Sequence, residues 1–358
     1  MLNYIIWNVN PEIIAGFHVR WYGLFFGIGF FLSYWCLRKI FVNEKLTTND
    51  ADTLTFTTFF LLLIGLRLGH CLFYEPEVYL APYLHPIITC ADGTRHIDWS
   101  GMFRIFKVWE GGLASHGGAI GLVIAFLWFA KKSGKSFIWV MSRSAVVIPI
   151  TAFFVRMGNL MNSEIYGVAT NLPWGVIFVR DAMMQTNGAD ISTIMAQAGL
   201  VSADAVQTLQ SFLSHCLPTT SVFSFESLWE LLLKYQFLDE NQLRPFVDAC
   251  VNAGILAPNH PTQIYEALTY LITGGILIAY YQLRCKHDKP ISSYVILAIA
   301  FLMIFATRFC FEFIKNNQVD FEKNMTLDMG QWLSVPFIVY GLFFVVVAIR
   351  EKGKENPA

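Results

Sequence analysis

The chain has 358 residues, 55% of them hydrophobic and only 14% charged, with a mean hydropathy of +0.49. Soluble domains keep roughly a quarter of their residues charged, so this composition excludes an ordinary water-soluble fold and points to a polytopic membrane protein. A net charge of -1 offers no basic surface for nucleic acid, and the seven cysteines form no C-x-x-C pair suited to zinc or disulfide exchange.

The opening residues, "MLNYIIWNVNPEII", lack the basic stretch and the small-residue cleavage site of a secretory leader. Apolar runs of the roughly 17–25 residues a spanning helix needs then follow at 21–37, 54–73, 113–130, 137–155, 264–283, 293–313 and 329–349. Lys and Arg cluster in alternate linkers: "RKIFVNEK" after the first run, "KKSGK" after the third, "RCKHDK" after the fifth and "REKGKE" after the seventh. Cytoplasmic loops carry such clusters. The expected architecture is therefore all-α, a single membrane domain over 1–358 with seven transmembrane helices, the N-terminus outside and the C-terminus cytoplasmic. Two outside connections are long, 74–108 and 177–258. The second holds amphipathic pieces such as "FESLWELLLKYQFLDENQLRPFVDACVNAGIL" and reads as an extracytoplasmic helical insertion. Cys90, Cys216 and Cys250 fall in these outside segments, where pairing is open to them.

Ionisable side chains inside a span cost about 2.5–3.5 kcal/mol on insertion scales, so their positions carry information. Laid on this topology, they gather in the outer half of the membrane. Arg20 and Tyr22 open span one, Arg67 and His70 end span two, and His116 starts span three. Arg156, Asn159, Asn162 and Glu164 end span four. His260, Gln263, Tyr265 and Glu266 open span five, and Arg308 and Glu312 end span six. Each group also has a plain structural reading. Arg67 reads equally as a side chain snorkelling to headgroups, and Arg308 with Glu312 as an ion pair four residues apart on one helical face. Asn159, Asn162 and the glycines of "EGGLASHGG" read as helix-packing residues. That all of them share one leaflet favours a site open to the outer leaflet.

The ordered set "RWYGL", "VWEGGLASHGG", "RMGNLMNSEIYG", "HPTQIYE", "RF…EF" and "MGQWLSVP" closely resembles the signatures of bacterial prolipoprotein diacylglyceryl transferases, across nearly the whole chain except the two long outside segments. The resemblance implies an enzyme of the bacterial plasma (inner) membrane. Its substrates would be phosphatidylglycerol and prolipoprotein signal peptides with a lipobox cysteine, and its leaving group glycerol phosphate. Displacement at an sp³ glycerol carbon needs a thiolate and a stabilised phosphate leaving group, with no metal and no cofactor. His116 is the candidate base, because imidazole titrates near neutrality. Arg156 and Arg308 match the family's two key arginines, and guanidinium donors can bind two phosphate oxygens at once. Asn159 and Asn162 are assigned to the glycerol headgroup or to fixing the arginine, and Glu164 to orienting Arg156. Gly167 would allow a sharp turn, Tyr22 would hydrogen-bond substrate, and Glu312 would hold Arg308. Arg67, His260, Gln263, Tyr265 and Glu266 complete the expected substrate-binding set, and a monomer is expected.

The chain departs from the family pattern at Ile304, where a tyrosine is usual, and at Val155, where glycine often precedes the first arginine. Lys315 stands where the basic residue after "EF" is expected, keeping its charge but not a guanidinium fork. Other readings remain: a secondary transporter, an intramembrane hydrolase using Ser115 beside His116, or a purely structural lipid-binding protein. No internal repeat favours the first. Adjacent helical residues point about 100° apart, which is poor geometry for the second.

Overall fold

A computed structural model of the chain describes residues 4–14, 19–84, 87–89, 95–107, 114–179, 243–252, 254, 256–316 and 325–355. In chain order the long helices are α1 (Trp21–Asn43), α2 (Thr48–Phe73), α5 (Ser115–Ser133), α6 (Phe137–Met161), α8 (Thr262–Lys286), α9 (Ser293–Glu312) and α10 (Met329–Glu355). The shorter α3 (Pro76–Leu84) and α4 (Trp99–Phe103) follow α2, and α7 (Leu243–Asn252) precedes α8. Six of these helices, all the long ones except α5, are long and apolar enough to cross a membrane. The 19 residues of α5 include His116, three glycines and a lysine pair, which lower its average hydropathy.

Several helices outrun the apolar stretches that announce them. α2 starts at Thr48 because Thr47 and Asp50 form a reciprocal capping box, each side chain bonding the other's backbone amide. α6 continues to Met161 and so carries Arg156 and Asn159 in its last turns. α5 stops at Gly134, whose φ of +68° is the left-handed helix stop that glycine adopts without strain. Large apolar side chains such as Phe31, Phe60 and Ile349 are exposed on these helices, as a lipid-facing surface requires.

The chain is mostly helical, as expected, and the described residues add two small two-stranded sheets. β1 (Ile5–Trp7) runs parallel to β4 (Val176–Phe178), and β2 (Ile87–Thr89) pairs antiparallel with β3 (Arg95–Ile97). Chain emerging from helix ends still has backbone donors and acceptors to satisfy, and short pairings do this where helix is not formed. Of the 177–258 insertion, residues 180–242 lie outside the described residues, while its end forms the amphipathic α7. Cys250 is buried on α7; Cys90 and Cys216 lie outside the described residues.

The chain divides into two compact units. The first comprises Met1–Phe30, Pro149–Ile276 and Ile299–Phe343. Here Leu160, Val176 and Phe178 form a buried cluster with Trp7, Met157, Tyr166 and Ile264 packed on it, and Tyr166 stacks on Phe178 at 4.8 Å. The N-terminal strand is tied in twice: Trp7 Nε1 donates to the Leu160 carbonyl at 3.0 Å, and the Tyr4 hydroxyl bonds Asp248 of α7. Burial, reinforced by Asp248, pushes the Tyr4 hydroxyl up to about 12, and burial alone raises the Cys250 thiol to about 12. Both therefore stay protonated at neutral pH.

The second unit comprises Phe31–Ile148, Leu277–Ala298 and Phe344–Ala358. Its α2 and α5 meet backbone to backbone: a Cβ placed on Gly65 would strike the Gly117 carbonyl, and one on Gly117 would strike that of Gly65. Gly69 and Gly121 extend the same seam. Elsewhere Arg143 and Glu44 form a buried ion pair at 2.8 Å, with Trp139 Nε1 donating to the same carboxylate and Arg143 reaching Ser293 at 2.7 Å.

Candidate functional site

In the first unit, the end of α6, the start of α8 and the end of α9 bring most of the predicted residues into one ionic network. Arg156 pairs with Glu266, whose side chain is only 2% exposed. Lys315 Nζ lies 2.5 Å from Glu266 Oε1 and 3.2 Å from Glu312 Oε2. Glu312 in turn faces Arg308 at 3.6 Å. Two carboxylates are thus shared among three cations. Buried ion pairs keep their charge only when such partners repay lost hydration. Arg308 is the least engaged cation, with its side chain 33% exposed and no hydrogen bond to its Nε among the described residues.

Glu164 meets Arg156 through an intermediary. Its carboxylate accepts from the amides of Asn159 (2.8 Å) and Asn162 (3.2 Å), and Asn159 Oδ1 then accepts from Arg156 at 3.3 Å. The direct partner of Arg156 is Glu266, so Glu164 reaches the arginine only through Asn159. Tyr270, one turn beyond Glu266, sits beside the same guanidinium.

The bend after α6 is held in an unusual backbone. Ser163 and Ile165, on either side of Glu164, have φ of +56° and +60°, a region that β-branched residues rarely enter. Gln263 Nε2 donates to the Glu164 carbonyl at 2.6 Å and Thr262 Oγ1 to the Ile165 carbonyl at 2.8 Å, so the "TQ" of "HPTQIYE" pins the bend from α8. The expectation that Gly167 makes the sharp turn is corrected here, because positive φ falls on Ser163 and Ile165 instead. Gly167 serves close approach: a Cβ there would collide with the Ile314 carbonyl and come within 2.8 Å of His260 and Thr262.

Because Gln263 and Asn162 both spend their NH2 groups on acceptor-only oxygens, their amide oxygens are fixed in place. Asn162 Oδ1 and Gln263 Oε1 are buried and have no hydrogen-bond donor among the described residues. Nearby, the Tyr265 hydroxyl accepts from Trp174 Nε1 at 2.8 Å and lies 3.3 Å from His260 Nδ1. Tyr22 packs against Gly158, where a Cβ would come within 2.8 Å of its ring.

The second unit holds the other two predicted residues. His116, at the start of α5, stacks on Tyr74 at 5.7 Å and meets Phe73 edge-on at 5.3 Å. Arg67 does not snorkel. It is 3% exposed, donates to the carbonyls of Ile105 (2.9 Å) and Arg104 (2.8 Å), and lies over the Tyr79 ring. The next carbonyl back, that of Leu66, accepts from the Ala114 amide at 2.9 Å. One turn of α2 therefore grips the chain on both sides of residues 108–113, just ahead of His116.

Sequence reasoning undervalued Lys315 and passed over Tyr270, Thr262 and the Glu44–Arg143 pair. A usable signal existed for Lys315, since a basic residue three positions after Glu312 can reach back to its carboxylate.

Spanning helices of this kind, with Arg, Lys, Glu and Asn gathered at helix ends, define a multi-pass membrane protein built around a polar, cation-rich site. A family model described as prolipoprotein diacylglyceryl transferase matches residues 11–347. The phosphatidylglycerol–prolipoprotein diacylglyceryl transferase of Bacteroides fragilis is 31% identical over 351 residues, covering 98% of this chain and 97% of that relative. The protein of the same name from Porphyromonas gingivalis is 31% identical over 355 residues, covering 97% and 95%, and that from Chloroherpeton thalassium 28% over 360 residues, covering 99% and 98%. The chain belongs to the prolipoprotein diacylglyceryl transferase family.

Proposed function

We propose that this protein transfers the diacylglyceryl group of phosphatidylglycerol to the lipobox cysteine of prolipoproteins, the first step of lipoprotein maturation. In the step, the cysteine sulfur bonds to the terminal glycerol carbon of the diacylglyceryl group while that carbon's bond to the phosphate oxygen breaks. The thiol proton leaves to a base, and glycerol phosphate departs with the bonding electron pair. The thioether product and the released phosphate balance the reaction without a cofactor or a metal.

The observation that carries this reading is the shared-carboxylate network of Arg156, Glu266, Lys315, Glu312 and Arg308 in a member of this family. Arg308, whose 3.6 Å contact with Glu312 is the longest in the network, is the cation best placed to turn to a singly charged phosphodiester. Arg308, loosely held by Glu312, has guanidinium donors to offer the phosphate, and Arg156 adds a fixed positive field as charge gathers on the leaving group. The unpaired oxygens of Asn162 and Gln263 are acceptors suited to headgroup glycerol hydroxyls. Tyr22, His260 and Tyr265 are assigned to the same lipid. His116 takes the thiol proton, because a free cysteine has a pKa of about 8.5 and needs a base to react at neutral pH.

On this reading α5 is a seventh span. The N-terminus lies outside, the C-terminus is cytoplasmic, and the site opens to the outer leaflet of the bacterial inner membrane. Residues 177–258 form an extracytoplasmic insertion, and the enzyme acts as a monomer. Alternation of basic linkers supports the orientation.

Purified protein in detergent, given phosphatidylglycerol and a lipobox-cysteine peptide, should add a diacylglyceryl mass to the peptide sulfur. His116→Gln and Arg156→Ala should lose that product. Lipid binding without any addition by the wild-type chain would overturn the proposal.

A further inference from the structure

α9 is interrupted by a π-helical turn at Leu302–Ala306, which ends two residues before Arg308. Such a turn adds about one residue to a helical circuit and so rotates all that follows by roughly 100°. The residues rotated are Arg308 and Glu312, together with Lys315 just beyond the helix. The π-turn therefore sets the direction in which the network's least engaged arginine points.

The backbone bonding shifts at Thr307. In an uninterrupted helix the Thr307 amide would donate to the Met303 carbonyl; here it donates to Ile304 instead. The Thr307 side chain reaches both carbonyls. Its hydroxyl oxygen lies 2.5 Å from the Met303 carbonyl and 3.1 Å from that of Ile304. A threonine hydroxyl bonding back one turn is common in helices. What sets this one apart is that the amide which would normally serve Met303 has moved away.

The turn is also braced from α10. Phe305 stacks on Phe337 at 4.2 Å, and Leu302 lies so close to Gly341 that a Cβ there would come within 2.9 Å of it. At the other end of the same contact, Gly330 leaves room only for the Glu312 side chain.

We propose that Thr307 is a positioning residue for the transfer reaction, its hydroxyl holding the π-turn that aims Arg308 at the lipid phosphate. This rests on the role given to Arg308 above. It adds a residue that carries no charge and touches no substrate.

The test compares Thr307→Val, which keeps the branched shape, with Thr307→Ser, which keeps the hydroxyl, using the full chain in detergent with phosphatidylglycerol and a lipobox-cysteine peptide. Thr307→Val should raise KM for the lipid by about tenfold to a hundredfold, the scale expected when a binding group is misplaced by an ångström. Thr307→Ser should stay near wild type. In an Arg308→Lys background, Thr307→Val should add little further loss, because both changes act through one group. Wild-type kinetics in Thr307→Val, or an equal fold-loss in both backgrounds, would overturn the inference. If the wild-type chain transfers nothing, the functional reading itself fails. Phosphatidylglycerol binding then decides the inference: weaker binding by Thr307→Val supports it and equal binding overturns it.

Discussion

Lys315 Nζ lies 2.5 Å from Glu266 Oε1, and their side chains are 4% and 2% exposed. Glu266 is also the partner of Arg156, while Lys315 reaches on to Glu312, so this single contact joins both arginine–carboxylate pairs. Removing one member of a buried pair costs about 3–5 kcal/mol, because the other charge stays uncompensated. Lys315→Met should therefore lower the melting temperature and turnover together. Lys315→Arg should recover much of both, and Lys315→Met with Glu312→Gln should be more stable than Lys315→Met alone. Thermal unfolding in detergent checks this; a double variant no better than the single would show that Glu312 is not the carboxylate left uncompensated.

The two arginines should respond differently to substitution. Arg308 is partly exposed and makes few bonds, so Arg308→Lys should mainly lose the forked phosphate contact, worth about 1.5–3 kcal/mol for hydrogen bonds to a charged group. That predicts a fall in kcat/KM of roughly tenfold or more without a change in stability. Arg156→Ala removes one of the two cations on the buried Glu266 and should also lower the melting temperature. Parallel kinetics and melts on the two variants separate the cases.

Arg67 spends its guanidinium on the carbonyls of Arg104 and Ile105. Arg67→Ala should loosen the approach to His116 and lower kcat, while KM for phosphatidylglycerol stays near wild type. A large rise in KM with kcat intact would return Arg67 to direct lipid binding.

Gly65 and Gly117 leave no space for a side chain between α2 and α5. Gly117→Ala must push the two backbones apart, at the roughly 1–3 kcal/mol typical of overpacking. A lower melting temperature and lower yield of folded protein are expected, whereas Gly134→Ala meets no neighbouring atom and should cost only the strain of its positive φ.

Tyr4 supplies a pH dependence. Burial first, then Asp248, raises its folded-state value from 10.0 to about 12. The folded chain thus holds this proton more tightly than the unfolded one. Its contribution to stability is complete below pH 10.0, then declines as pH rises from there through about 12. Melting temperatures taken across that window should fall more steeply for wild type than for Tyr4→Phe. Identical slopes would mean that Tyr4 does not titrate with unfolding.

The sequence by itself determined the membrane class, the apolar core of six candidate spans and the family, because apolar runs and ordered motifs are local properties of the chain. It also named the residues at the helix ends that the network uses. Only the tertiary structure decided which of them pair. Arg156 lies eight residues from Glu164 and 110 from Glu266, yet the distant carboxylate is its direct partner. The same holds for the π-turn before Arg308, the positive φ at Ile165 and the carbonyls that hold Arg67. Long-range pairing is chosen by which buried charges must be compensated and which helix faces pack together, and neither is written in any one stretch of sequence.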